Sequence, residues 1–154
     1  MERLQALAWV QTAEQEPVAT RRYERMTSTD TTTRGGETLQ EALAAMDGGD
    51  RAALERLIHE DFVMEWPQSG ERFRGRDNAL SAVAAAEVKP EPAGEPRLIG
   101  DGNVWALQMP LRYGDELVQY LGVFELDSGR LRRATEVFGA AFPAQAGRAQ
   151  FAER

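Results

Sequence analysis

Three consecutive stretches near the C-terminus alternate between apolar and polar residues, and two tight turns join them. Residues 103–112, 116–126 and 130–138 have the period of half-buried strands. Gly114-Asp115 predicts a two-residue hairpin turn between the first two, and Asp127-Ser128-Gly129 fits a three-residue loop with Gly in the left-handed position. Because hairpins make antiparallel pairs, this pattern predicts a meander and excludes a purely parallel sheet.

Helical periodicity dominates the preceding segment. Residues 37–47 place apolar side chains at helical spacing, and Gly48-Gly49 ends this helix. Asp50 is a good N-cap for a second helix, so we expect the two to form a hairpin. The second helix turns three apolar side chains inward: Leu54, Leu57 and Ile58.

Between these regions, the chain switches between short elements. Residues 62–66 alternate as a strand before Pro67, and residues 71–74 predict a second short strand. A third helix is expected over 77–87, and the three prolines of 89–96 indicate a loop. Helices come first and an antiparallel meander last, so the predicted class is α+β, with helices packed on a mainly antiparallel sheet.

The length of 154 residues suits one hydrophobic core. Residues 27–36 are small and polar, so we interpret 1–36 as an N-terminal extension and flexible linker. The domain itself, with a C-terminal tail, is expected to span 37–154.

Charge and residue types exclude several functions. A net charge of −7 disfavours nucleic-acid binding, and no apolar run is long enough to predict a membrane span. The chain has no cysteine and one histidine, so neither a metal site nor a cofactor is expected. The N-terminus lacks the pattern of a secretory signal, which makes a cytoplasmic location the expectation.

The Gly114-Asp115 turn fixes a register for the first hairpin. It pairs Met109 with Tyr120 and Trp105 with Phe124, and opposed residues share a face of the sheet. That face is almost wholly apolar. A one-residue slip would exchange the two faces, so the clean separation supports this register.

The second hairpin decides where Glu136 points. A three-residue loop places Glu136 opposite Tyr120 and Arg132 opposite Phe124, which turns both side chains toward the apolar face. A two-residue loop at Ser128-Gly129 would send Glu136 outward instead. We favour the first alternative because Gly at the third loop position suits a bulged hairpin.

A carboxylate beside a tyrosine on an apolar face suggests acid/base chemistry. Burial would raise the pKa of Glu136, with Tyr120 as its hydrogen-bonding partner. The alternative is a structural pair that Arg132 neutralises. The residues expected to surround them and to bind substrate are Met64, Trp66, Trp105, Met109 and Phe124, and Arg132 is a further candidate for substrate binding.

The single histidine has two interpretations. His59 is expected at the C-terminal end of the second helix, where a cation is favourable, so helix capping explains it without any function. As the one imidazole, it is also a candidate for substrate binding. Glu65, beside Trp66, is compatible with either face of its strand.

Two strings resemble nuclear transport factor 2-like (NTF2-like), or SnoaL-like, domains. They are MDGGDRAALERLIHEDFVMEWPQSGERFRGRDNAL at 46–80 and LGVFELDSGRLRRATEVFGAAFP at 121–143. The resemblance implies a cone in which a strongly bent sheet wraps a long helix and leaves a pocket between them. Many such domains are homodimers through the open side of the sheet.

The resemblance extends to particular positions. An isomerase-like domain would have Asp, Tyr and Asp where this chain has Trp66, Ala42 and Gly122, which disfavours steroid-type isomerisation. An epoxide-hydrolase-like domain would have an Arg–Asp pair that Pro110 and Arg112 do not reproduce. Its acid in the last strand corresponds to Glu136.

Two functions therefore remain. The first is a cyclase, isomerase, dehydratase or hydrolase that acts on an apolar small molecule through Glu136 and Tyr120. The second is a non-catalytic ligand-binding or dimeric interaction domain. A homodimer is expected through the outer sheet face, which we predict to carry Leu117, Leu121, Val123, Leu131 and Val137.

Overall fold

The computed structural model describes residues 34–153, so the N-terminal segment 1–33 lies outside the described residues. Three helices pack against one seven-stranded sheet. The helices are α1 (Arg34–Gly48), α2 (Arg51–Leu57) and α3 (Arg76–Ala84). The strands are β1 (Ile58–Trp66), β2 (Glu71–Arg74), β3 (Glu91–Pro92), β4 (Arg97–Asp101), β5 (Val104–Tyr113), β6 (Glu116–Asp127) and β7 (Arg130–Ala140), and a 3₁₀ helix spans Ala146–Phe151.

The sheet is mixed but largely antiparallel. Its order is β2-β1-β7-β6-β5, with β3 and β4 both pairing with β5. The pair β1–β7 is parallel, and every other pair is antiparallel. The predicted α+β class is confirmed. No helix in the described part of the chain is long and apolar enough to cross a membrane.

Helix α1 begins one turn before the expected start at Glu37. Gly35 and Gly36, predicted as linker, form its first turn and lie against the ring of Trp105. A Cβ would come within 2.6 Å of the Trp105 ring at Gly35 and 2.8 Å at Gly36. The two glycines are therefore required for close packing, a need that a polar, small-residue pattern does not reveal.

The helix hairpin forms as predicted. Gly49, with φ of 67°, ends α1, and the Asp50 carboxylate accepts a hydrogen bond of 3.0 Å from the Ala53 amide to cap α2. The third helix is shorter than expected and stops at Ala84. Ala79 is its one buried residue, whereas α1 buries six.

The register of the β5–β6 hairpin is the predicted one. Tyr113 pairs with Glu116, Met109 with Tyr120, and Trp105 with Phe124. The even-numbered residues of β6 from Val118 to Leu126 are all buried, so this face forms the concave, helix-covered side of the sheet. The turn alone fixes the alignment because both strands continue without interruption.

The β6–β7 hairpin corrects the predicted loop. Asp127 pairs with Arg130, so the loop has two residues, Ser128 and Gly129, with φ of 51° and 77°. Leu126 then pairs with Leu131 but Glu125 pairs with Arg133, which leaves Arg132 as an extra residue in a β-bulge. The bulge restores the inward direction of Glu136, which now lies opposite Gly122 instead of Tyr120.

Two further residues differ from their predicted positions, Leu131 because the two-residue loop pairs it with Leu126, and His59 because α2 is short. Leu131, expected on the outer face, is buried in the core. Helix α2 ends at Leu57, so His59 lies within β1 and does not cap a helix. Strand β1 is irregular between Ile58 and Val63, opposite the β7 bulge.

Candidate functional site

Glu136 is the one buried carboxyl among residues 34–153, and its side chain is 6% exposed. Strand β7 presents it to the concave face. Trp66 Nε1 donates a hydrogen bond of 2.8 Å to Oε2, and the Tyr120 hydroxyl donates one of 3.0 Å to Oε1. Each carboxyl oxygen thus has one donor, supplied by a different neighbouring strand.

Burial raises the pKa of Glu136 above its ordinary value. The two hydrogen bonds from Trp66 and Tyr120 stabilise the carboxylate and oppose this shift, but burial dominates. The carboxyl is therefore poised to hold its proton at a higher pH than an exposed glutamate and to be a stronger base once it is ionised.

The neighbouring strand makes room for this arrangement. A Cβ at Gly122 would collide with the Tyr120 hydroxyl and come within 2.7 Å of the Phe124 ring. Because Gly122 has no side chain, the Tyr120 hydroxyl can pass over it and reach Glu136, which lies diagonally opposite on β7. This geometry replaces the direct cross-strand pairing that the sequence predicted.

An aromatic cluster holds the donors in place. The Trp66 ring meets Phe73 edge to face with centroids 4.6 Å apart, and Tyr120 packs on Phe138 at 5.3 Å. The Gln68 side chain forms two hydrogen bonds with the Phe138 backbone. The turn after β1 is thereby tied to β7, which fixes Trp66 against the strand that carries Glu136.

Glu136 lies at the wall of a small apolar cavity of about 30 Å³ between the helices and the sheet. The sheet contributes apolar side chains that include Met64, Phe124 and Ala134. The helices contribute most of the rest: Leu39, Ala42, Leu43, Met46, Ala79, Leu80 and Val83. These helical residues were not predicted, because their spacing indicates a buried face but not what that face covers.

Seven residues that were expected around one cavity divide into three groups. Phe124 and Glu136 line it, together with Met64. Trp66 and Tyr120 do not line it themselves but donate hydrogen bonds to Glu136, which does. The remaining two, Trp105 and Met109, are buried without lining it, which corrects the prediction for them.

Arg132 and His59 lie together, away from Glu136. Arg132 Nη1 donates to His59 Nδ1 at 3.1 Å and forms an ion pair with Asp61 at 3.3 Å. Because arginine has no acceptor, Nδ1 must be the unprotonated ring nitrogen in this contact. Arg132 therefore does not neutralise Glu136, and the bulge is the reason that it points elsewhere.

Glu65 faces the outer side of the sheet. Its carboxylate accepts hydrogen bonds of 3.0 and 2.6 Å from Arg133 and is also paired with Arg72. These hydrogen bonds, chiefly those from Arg133, hold the pKa of Glu65 below its ordinary value. The side chain is 14% exposed, yet its charge is fully compensated.

Tyr113 is a polar residue of the concave face that sequence reasoning missed. Its hydroxyl is buried and has no hydrogen-bond partner within residues 34–153. Burial, together with the charge of Glu136, raises the pKa of Tyr113, so the hydroxyl stays protonated. The signal was its pairing with Glu116 at the end of the apolar face, but pairing alone does not show an unsatisfied donor.

Comparison with known proteins gives a fold. No protein-family model matches the chain, and a search of curated protein sequences finds no match. Among solved structures, a putative ketosteroid isomerase from Kribbella flavida matches with a TM-score of 0.70 and 24% identity over 79% of this chain and 89% of that one.

Two further structures agree. An NTF2-like protein of unknown function from Burkholderia xenovorans has a TM-score of 0.66 and 28% identity, covering 79% of this chain and 94% of its own. An epoxide hydrolase of the LEH-like type from M. tuberculosis has a TM-score of 0.54 and 24% identity, covering 70% and 84%. The chain therefore has the cone fold of NTF2-like proteins, as the sequence resemblance predicted.

Proposed function

We propose that this protein binds an apolar small molecule and transfers a proton to or from it through Glu136. The observation that carries the proposal is a buried carboxyl at the wall of an apolar cavity, hydrogen-bonded to Trp66 and Tyr120. An uncompensated carboxyl is costly to bury, and no arginine within the described residues pairs with it. Such a placement is typical of functional carboxyls.

The roles of the three side chains follow from their chemistry. Glu136 gives up or takes the proton, and its raised pKa brings it closer to neutral pH, where general acids and bases are most effective. Trp66 is a donor only, so it fixes Oε2 as an acceptor. Tyr120 both donates and accepts, so it can follow a change in the protonation of Oε1.

The reactions named for the similar structures support proton transfer without selecting one reaction. One is a putative ketosteroid isomerase and another an epoxide hydrolase, and both names refer to small-molecule chemistry. Fold alone does not decide function, so the assignment to Glu136 depends on the site itself.

A generic carbon acid tests the proposal without a known substrate. 5-Nitrobenzisoxazole opens when a base removes the C–H proton of its isoxazole ring, a nitrile forms and the N–O bond breaks, which yields a coloured cyanophenolate. We expect wild-type protein to accelerate this opening and Glu136→Gln to lose about 10²–10⁴-fold of the acceleration. Glutamine is nearly isosteric: its carbonyl can accept from Trp66 while its amide donates to Tyr120.

Glu65→Gln is the matched control, because it makes the same change on the other face of the sheet. It should leave the rate unchanged. An acceleration that persists in Glu136→Gln, or that Glu65→Gln removes equally, would contradict the catalytic role of Glu136.

One observation favours a second function, non-catalytic ligand binding. Both oxygens of Glu136 already have partners within the protein, as they would in a purely structural network. Under that alternative, the protein binds apolar ligands without any Glu136-dependent proton transfer. The same experiment separates the two, because binding without turnover would support the second.

We further propose that the outer sheet face pairs with a second copy of the chain. Leu117 and Leu121 are each 39% exposed there, and Val123 and Val137 are half-buried beside them. The face also carries Glu125 and several arginines, so it offers both charge signs to a copy of itself across a two-fold axis.

Light scattering at micromolar concentration tests the homodimer. Wild-type protein should show twice the monomer mass, and Leu121→Asp should shift the mass toward the monomer. A matched change at Val88, which is 52% exposed in a loop, should leave the mass unchanged. A monomeric wild-type mass would contradict the dimer.

A further inference from the structure

The cavity beside Glu136 is too small to hold an organic ligand by itself. A volume of about 30 Å³ suits about two water molecules. A second, more open groove of about 150 Å³ lies next to it, lined by parts of α1, α2 and α3. The two spaces share three lining residues, Met46, Leu80 and Val83.

These three side chains form the partition between the two spaces. Met46 lies on α1, and Leu80 and Val83 lie one turn apart on α3. Each is only partly buried, although each packs against the core. Methionine is unbranched and adapts its shape readily, so the partition has a flexible member on one side.

The other side of the partition is α3, the helix with the fewest buried residues. Helix α3 buries Ala79 alone, whereas α1 buries six residues and α2 three. It follows Gly75, whose φ is 87°, and it leads into the proline-containing loop before β4. Segments with few buried apolar contacts open at the lowest free-energy cost. A small outward movement of α3 would therefore join the cavity to the groove.

We infer that the cavity and the groove form one binding tract for a slender, extended aliphatic molecule with an oxygen-bearing end. The oxygen end lies against Glu136, and the chain passes between Met46, Leu80 and Val83 into the groove. Arg51, already paired with Glu55 and Asp77, lies at the rim of that groove, where the outer end of the ligand meets solvent.

The dimensions define the ligand class. Even together, the two spaces are smaller than the roughly 300 Å³ at which pockets for drug-sized ligands begin. The lining of both is almost wholly apolar apart from Glu136 and Arg51. A linear chain fits such a passage, whereas a molecule with three or more fused rings does not. The inference rests on the proposed function only in placing the oxygen-bearing end of the ligand against Glu136.

Linear alcohols from butan-1-ol to octan-1-ol test the tract by isothermal titration. Each methylene buried in the passage should increase affinity roughly fourfold in wild-type protein. Val83→Phe narrows the passage and should reduce that gain to less than about twofold per methylene. Val88→Phe makes the same change at an exposed position and should retain the wild-type dependence on chain length.

Two more variants make the outcome decisive. Leu80→Trp narrows the passage from the same helix and should act like Val83→Phe, with circular dichroism confirming that both variants fold. Glu136→Gln should change the affinity of every alcohol by a similar factor while preserving the gain per methylene, because it alters only the polar end.

Failure of this inference is distinguishable from failure of the proposed function. Absence of alcohol binding to wild-type protein, or a chain-length dependence that survives both narrowing variants, would overturn the tract. Neither result depends on proton transfer, which the benzisoxazole assay measures separately.

Discussion

Two glutamates on adjacent strands show how strongly the two faces of this sheet differ. Glu65 in β1 pairs with Thr135, the residue before Glu136 in β7, yet the two carboxyls point in opposite directions. Glu65 meets Arg72 and Arg133, and its pKa is lowered. Glu136 meets an indole, a phenol and apolar side chains, and its pKa is raised.

The difference teaches that position relative to the sheet, not residue type, sets the chemistry. On the outer face, ion pairs with arginine favour the charged form of the carboxylate. On the inner face, burial makes the same group costly to ionise, so it holds its proton to a higher pH. Each prediction below compares a change at or beside Glu136 with a matched change elsewhere in the sheet.

The largest expected effect is on stability, from truncating the partners of the two carboxyls. Trp66→Ala should lower the free energy of unfolding by about 3–5 kcal/mol, because it removes a large buried side chain. Arg133→Ala should cost far less, because Arg133 is 43% exposed and solvent screens its ion pair. Urea denaturation measures both, and similar costs would contradict the contrast.

The next effect is steric. Gly122→Ala should cost about 1–3 kcal/mol, because its methyl group displaces the Tyr120 hydroxyl from Glu136. Gly139→Ala in β7 is the control: its nearest neighbour, the Gln119 carbonyl oxygen, would be 3.8 Å away, so the change should be near neutral. If Gly122→Ala is also neutral, Tyr120 is not confined as described.

The two glutamates should have opposite effects on stability as pH changes. The pKa of Glu136 is higher in the folded than in the unfolded state, so wild-type stability falls as pH rises from about 4.5 through the folded-state pKa. The free energy of unfolding of Glu136→Gln should therefore rise relative to that of wild type across this pH range. Thermal melts between about pH 4 and pH 8 measure it.

For Glu65 the sign reverses. Its folded-state pKa is lowered, so its contribution is complete above about pH 4.5 and is lost as pH falls through the folded-state pKa. Glu65→Gln should therefore destabilise most at neutral pH and least in acid. Parallel pH profiles for the two variants would contradict the assignment of opposite environments.

The smallest effect separates two tyrosines of the inner face. Tyr120→Phe removes a hydrogen bond to Glu136 and should cost about 0.5–1.5 kcal/mol. Tyr113→Phe removes a buried hydroxyl that lacks a partner, so it should be neutral or slightly stabilising. A substantial loss of stability in Tyr113→Phe would mean that its hydroxyl is satisfied in solution.

Part of this arrangement was predictable from sequence, for a physical reason. A two-residue turn between uninterrupted strands leaves one alignment, so the β5–β6 register and the inward direction of Tyr120 followed directly. The inward direction of Glu136 was expected from a three-residue loop that does not form, and the bulge at Arg132 produces the same direction by another route. The contact of Glu136 with Tyr120 was also anticipated, although the route to it differs.

The remainder depends on tertiary contacts that local patterns do not encode. The bulge at Arg132 accompanies the irregularity of β1, and strand β1 lies about 70 residues earlier in the chain. Trp66 emerged as a partner of Glu136 only because β1 lies beside β7 in parallel. The helical half of the cavity depends on how α1 and α3 cross the sheet, which amphipathic spacing does not specify.

The bulge decides which face of the sheet Glu136 occupies, because one extra residue reverses the alternation of side chains along β7. With a two-residue loop and strict alternation, Thr135 and Val137 would face the interior, and Glu136 would join the outer surface. Loss of Arg132 itself would merely regularise the ladder and keep the acid inside. With the bulge kept, loss of a single residue between Arg133 and Glu136 would expel it. A one-codon deletion could thus remove the buried carboxyl from this site while preserving its fold, without any change to the acid itself.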